Sequence, residues 1–182
     1  MDFRLVYEGP LKANGSTSAK HAIRQAVHTQ LQELIDRKSM EHMKRNIEMQ
    51  KPFISRFSVG PYTFIPLISE KLVHVAELHI TFLTPEEPGS AITQGGDLDN
   101  RLKTLLDALR CPKNQQELPT GATPAENETP FYCLLEDDDL VSALSITTDR
   151  LLRKNEDPSQ VLLIIQVIPR STLTTLGTST WV

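Results

Sequence analysis

The spacing of apolar and polar positions changes period several times along the chain, and each change marks an element. Phe3, Leu5 and Tyr7 alternate with Arg4, Val6 and Glu8, the period of a short half-buried strand. Gly9-Pro10 ends it, and Asn14-Gly15-Ser16 marks a turn. Ser16, Thr17 or Ser18 can cap the next element. From Ala19, the positions Ile23, Val27, Leu31, Leu34 and Ile35 keep a helical period and predict a long amphipathic helix ending near Arg37-Lys38. Helix is expected to resume up to about Gln50, before Pro52. Residues 53–68 read as an extended or hairpin segment turning at Gly60-Pro61.

Ala76, Leu78, Ile80 and Phe82 alternate with Glu77, His79 and Thr81, a stronger strand within Leu72–Leu83. Pro85 to Gly89 reads as loop, and Gly95-Gly96 leads into Asp97. Leu98, Leu102, Leu105, Leu106 and Leu109 then fall on one helical face, stopped by Cys111-Pro112. Residues 112–130 are polar and Pro-rich and predict a long, mobile loop. Phe131–Leu135 and Val141–Ile146 are strand-like, with acids between them. Val161–Ile168 is a nearly continuous β-branched run, the pattern of a central strand buried on both faces.

The order β, α, β, α, β, β, β predicts an α+β fold, a mixed β-sheet with helices packed on one face. The 182 residues suit one domain over 1–170, with a Thr/Ser-rich tail at 171–182. No apolar run approaches the ~20 residues that span a bilayer, and the N-terminus lacks the pattern of a signal peptide. Cys111 and Cys133 form no metal-ligand spacing and read as reduced thiols of a cytoplasmic protein. The five histidines form no ligand cluster and read as structural.

The net charge is −4, but it is unevenly spread. Residues 1–71 carry eleven Lys/Arg against seven Asp/Glu, and residues 72–182 carry eight against sixteen. The basic stretch Arg37, Lys38, Lys44, Arg45, Lys51 and Arg56 is the expected arm for nucleic-acid phosphates, or simply a solvated helix end.

The acidic half holds the candidate chemistry. In extended backbone Asp97 and Asp99 would point the same way, so two carboxylates could converge on a hard divalent cation. Lys103 lies one helical turn beyond Asp99, where it could meet a phosphate oxygen on the same cation. Asp138 or Asp137, from the run Glu136-Asp137-Asp138-Asp139, would add a third carboxylate. The structural alternative is an N-capping aspartate, an i,i+4 ion pair and a solvated turn. No Gly-rich phosphate loop points to a nucleotide-binding enzyme instead.

The segment Asp97-Leu98-Asp99-Asn100-Arg101-Leu102-Lys103-Thr104-Leu105-Leu106-Asp107-Ala108-Leu109 resembles the central motif of the RusA family of Holliday junction resolvases. That motif is Asp-x-Asp-Asn, Lys three residues later, then Asp-Ala-Leu. Asp137-Asp138 before Leu140-Val141 resembles the family's Asp-Asp pair in front of a strand. The resemblance implies a RusA-like α+β fold and a homodimeric endonuclease. It implies Mg²⁺, or Mn²⁺ in its place, and branched DNA as the substrate. Asp97, Asp99 and Asp138 would be the catalytic, metal-binding acids, with Asp137 beside them. Lys103 would be the active-site lysine, and Asn100 and Asp107 supporting residues. The competing expectation is a resolvase-like module that binds nucleic acid or protein without cleaving.

Overall fold

The computed structural model describes residues 2–86, 97–153 and 157–172, with Asp97 by its backbone alone. The order is β1 (Phe3–Pro10), α1 (Thr17–Ile35), α2 (Glu41–Glu48), β2 (Phe57–Val59), β3 (Tyr62–Ile68), β4 (His74–Thr84), α3 (Asp97–Leu109), β5 (Phe131–Leu135), β6 (Val141–Arg150) and β7 (Gln160–Ser171). This is an α+β architecture. The strands divide between two mixed sheets where the apolar pattern predicted one. Their orders are β1-β7-β4-β6 and β2-β3-β5. Each contains one parallel pair, β4 with β6 and β3 with β5.

The larger sheet follows its alternation. Phe3, Leu5 and Tyr7 of β1 and Ala76, Leu78, Ile80 and Phe82 of β4 point into the core, while Arg4 and His79 face outward. β7 is central because β1 and β4 pair with its two edges. It is not buried on both faces, however. Val161, Leu163, Ile165 and Val167 are buried, but Leu162, Ile164 and Ile168 on the outer face remain half-covered. The continuous apolar run therefore reflects half-burial of the second face.

Helix α1 joins the two sheets, packing on β1 of one, β5 of the other, and on α3. The Ser16 side chain accepts from the Ala19 N–H and caps it, and Ile23, Val27, Leu31, Leu34 and Ile35 line its buried stripe. Met40, Met43 and Ile47 bury the face of the following turn and α2, which stops at Glu48. Gly60, at φ 56, makes the tight turn of the β2–β3 hairpin, where a side chain would be strained. Leu102, Leu105 and Leu109 drive α3 into the same core.

Residues 112–130 lack long elements but hold two short 3₁₀ turns, Gln115–Glu117 and Glu126–Glu128. Gln25 and Gln32 of α1 donate to Glu128 and to the Asn127 carbonyl. The expected loop at 85–89 and the tail at 171–182 lie largely outside the described residues, which resume at Asp97 and stop at 172.

Three histidines are buried, in keeping with structural roles. His28 accepts from the Tyr132 N–H at Nδ1, so Nε2 carries the proton it gives to the Asn127 carbonyl. Its ring stacks on Phe131, with centroids 4.4 Å apart. His74, 1% exposed at the start of β4, is pushed down to about 4 by burial. Its unfolded value is near 6.5, so below that pH the unfolded chain takes a proton the folded chain refuses. Stability is therefore lost as the pH falls from about 6.5 towards 4, by up to about 3 kcal/mol from this group. Urea unfolding of wild type and His74→Phe should show a stability difference that shifts in the variant's favour over that window; a difference independent of pH would contradict the assignment.

Candidate metal and phosphate site

The acidic segment folds as the first turn of α3, because helical backbone begins at Asp97. The expectation of two carboxylates on one side of an extended chain is thereby corrected. Positions 97 and 99 are two helical steps, about 200°, apart around the axis. Asp99 and Lys103 do lie one turn apart, both exposed, and no ion pair joins them. Asn100 is half-buried, and its carbonyl accepts from the Thr104 hydroxyl.

The second acidic run lies between β5 and β6. Asp137 caps a 3₁₀ turn, Asp138–Leu140, by accepting from the Asp138 N–H at 2.9 Å. Buried Leu140 pins that turn, which packs against α3 and β4. The cations around the acids come from the far end of α3. Lys113 Nζ lies 2.6 Å from Asp137, and Arg110 Nε lies 4.0 Å from both Asp137 and Asp138. Asp99 stands eleven residues before Arg110, about 16 Å of helical rise. Among the described residues, no three His, Cys, Asp or Glu side chains are grouped to hold a metal.

Arg110 was not singled out by the sequence, yet it organises this end of the molecule. It is 8% exposed. Its Nη1 donates to Glu117 and to the Cys111 carbonyl, both at 2.9 Å, and Nη2 lies 3.5 Å from Asp107. Burial opposes its charge, but Glu117, Asp107 and Asp138 outweigh it and hold the guanidinium protonated. Asp107 is also bound by Lys20 of α1 at 2.6 Å, so this supporting residue ties two helices together. A lone Arg after a helix has no pattern that reveals such a role; only its four acidic neighbours do.

The acid pair is electrostatically unequal. Partial burial pushes Asp137 up, but Lys113 and the contacts with Asp138 outweigh it and hold the carboxyl below its usual range. Asp138 is held above its usual range, first by the neighbouring Asp137 carboxylate and then by partial burial. Its side chain is 45% exposed, and Arg110 is too distant for a hydrogen bond. Asp138 thus has oxygens open to a ligand and excess negative charge beside it. In chemistry, though not in grouping, these hard oxygen donors suit a divalent cation.

The basic arm is only partly available. Arg37 and Lys38 are exposed. Lys44 pairs with Asp36 at 2.7 Å and Arg45 with Glu41 at 3.4 Å. Lys51 is half-buried, and Arg56 turns back to the Ile47 carbonyl. Cys111 and Cys133 are both buried and free. No helix among the described residues is long and apolar enough to cross a membrane.

Compared with protein families, curated proteins and solved structures, the chain matches none.

Arg110→Met would leave Asp107, Glu117, Asp137 and Asp138 without their shared cation. The expected destabilisation is about 3 kcal/mol at pH 7.5, the cost of removing one partner from a buried charge cluster. The loss should shrink towards pH 4.5, because Asp138, already held above its usual range, takes up a proton more readily once Arg110 is gone. Urea unfolding at the two pH values checks this; equal losses at both would show that Arg110 acts by packing alone.

Proposed function

We propose that the protein is a divalent-metal-dependent endonuclease with a RusA-like fold, hydrolysing phosphodiester bonds in branched DNA. The observation that carries this reading is the shared helix. The Asp97-to-Leu109 motif folds as one element, with Asp99 and Lys103 exposed along it and the turn of Asp138 packed against it. The family resemblance supplies the reaction class.

Asp97, Asp99 and Asp138, with Asp137 adjacent, would hold Mg²⁺ or Mn²⁺. When bound, such a cation polarises the phosphate and lowers the pKa of water. Lys103 would neutralise charge developing on the phosphate oxygens. Asp107 anchors the helix to α1 through Lys20. Exposed Arg37 and Lys38 would meet neighbouring phosphates. Arg110 is the positive charge that a cation beside Asp138 would replace. A two-fold symmetric junction would favour a homodimer, one site for each strand cut.

A second reading rests on a specific feature: Asp137 already has Lys113 and Arg110 as partners. In that case the fold binds nucleic acid or protein without cleaving.

Nicking of a synthetic four-way junction separates the two. Wild type should cut only with Mg²⁺ or Mn²⁺, and Asp97→Asn and Asp138→Asn should lose roughly 100-fold or more with their melting temperatures kept. Full activity of Asp97→Asn would remove the metal assignment. Binding without nicking in either metal would leave the second reading.

A further inference from the structure

We propose that the cavity between β2 and the acidic run binds one unpaired nucleobase, guanine in preference to the others. The cavity measures about 480 Å³ and opens beside Asp137. That lies in the range of small-molecule sites, roughly 300–1,000 Å³. Val59 and Cys111, both buried, form an apolar wall, and half-buried Phe57 adds an aromatic ring on which a base can stack.

Glu136 decides which base fits. Its Oε2 accepts from the Ser55 hydroxyl at 3.0 Å and from the Glu70 N–H at 3.2 Å. Both bonds fall on one oxygen, so the carboxylate is fixed while Oε1 has no donor among the described residues. Ser55 is itself buried, which makes the anchor rigid. An ionised carboxylate only accepts, so it selects ligand edges that only donate. Guanine presents two adjacent donors, N1–H and the 2-amino group. Adenine and cytosine set a ring acceptor beside their amino group, and thymine flanks its one N–H with two carbonyls. Each of these acceptors would face the carboxylate and be repelled.

The donating edge of guanine is the one used in base pairing. The pocket can therefore read only a base that is out of the duplex. Arg56 and Lys113 line the same cavity, Lys113 paired with Asp137 and Arg56 donating to the Ile47 carbonyl, so selection rests on the base and not on its phosphate. As a statement about the natural substrate, this rests on the nucleic-acid reading above. Base recognition is nevertheless separable from cleavage.

The test uses the full chain and 5′-mononucleotides, followed by amide chemical shifts. GMP should give saturable shifts in Phe57, Val59, Cys111 and Glu136, with a dissociation constant in the millimolar range or tighter. IMP, which lacks the 2-amino donor, and UMP should bind about tenfold more weakly. Glu136→Gln should cut the GMP preference over IMP by a similar factor while melting like wild type. The GMP-to-IMP comparison in wild type stands even if that variant fails to fold. Equal binding of the three nucleotides, or shifts confined to the α2 region, would overturn the proposal. Junction nicking without selective GMP binding would reject the pocket and keep the nuclease; selective binding without nicking would do the reverse.

Discussion

The buried guanidinium of Arg24 is the interaction on which the arrangement of this end of the molecule depends. A helix leaves its last carbonyls without intrahelical partners, and α3 ends packed against α1. Arg24, on α1 and 2% exposed, donates to the carbonyls of Asp107 and Arg110. A cation at a helix C-terminus also complements the dipole. Burial lowers the pKa of Arg24, which reflects the cost of placing a charge there, and the two carbonyls offset part of it. Helix α1 thereby fixes where α3 stops and where the next residue, Arg110, projects.

From that point the charges form a sequence of dependencies. Arg110 gathers Asp107, Glu117, Asp137 and Asp138, and Lys20 and Lys113 take the outer positions. Few of these pairs would matter singly on an open surface. Around a guanidinium that is 8% exposed they count for more, because removing the shared cation would leave several partly buried carboxylates uncompensated. The same cluster sets the inequality of the acid pair. Asp137 is committed to Lys113, while Asp138 stays more exposed and harder to ionise. A ligand arriving there meets one carboxylate already used by the fold and one available to it. The Glu136 carboxylate, which precedes Asp137, is fixed by Ser55 and Glu70 instead, and lines the same cavity as Asp137.

Periodicity made much of the fold legible. The stripes of α1 and α3 and the alternation of β1 and β4 were readable because each element is buried on one face, so side-chain polarity follows its repeat. The hairpin at Gly60-Pro61 was readable from turn chemistry. The division of strands into two sheets was not, since β3 and β5 lie more than 60 residues apart and no local pattern specifies a parallel partner. β7 misled in one respect: a central strand with a half-covered outer face carries nearly the same apolar run as one covered twice. The buried polar residues of α1, His21, Arg24 and His28, also lay outside the pattern, because burial of a polar group depends on partners far along the chain.

For the candidate site, the sequence by itself determined the donor types. It named Asp97, Asp99, Asp137 and Asp138 as carboxylates at a helix start and a strand junction, and Lys103 one turn along the same helix. It could do so because composition and local spacing are properties of short segments. Only the tertiary structure decided which acids meet which cations. Helical backbone starting at Asp97 separates positions that extended chain would align, and Arg110 and Lys113 come to the acidic turn through the path of β5 beside the end of α3. Those encounters join residues 24 to 28 positions apart, and they are set by packing and by the need to satisfy buried carbonyls and charges, which no single segment encodes.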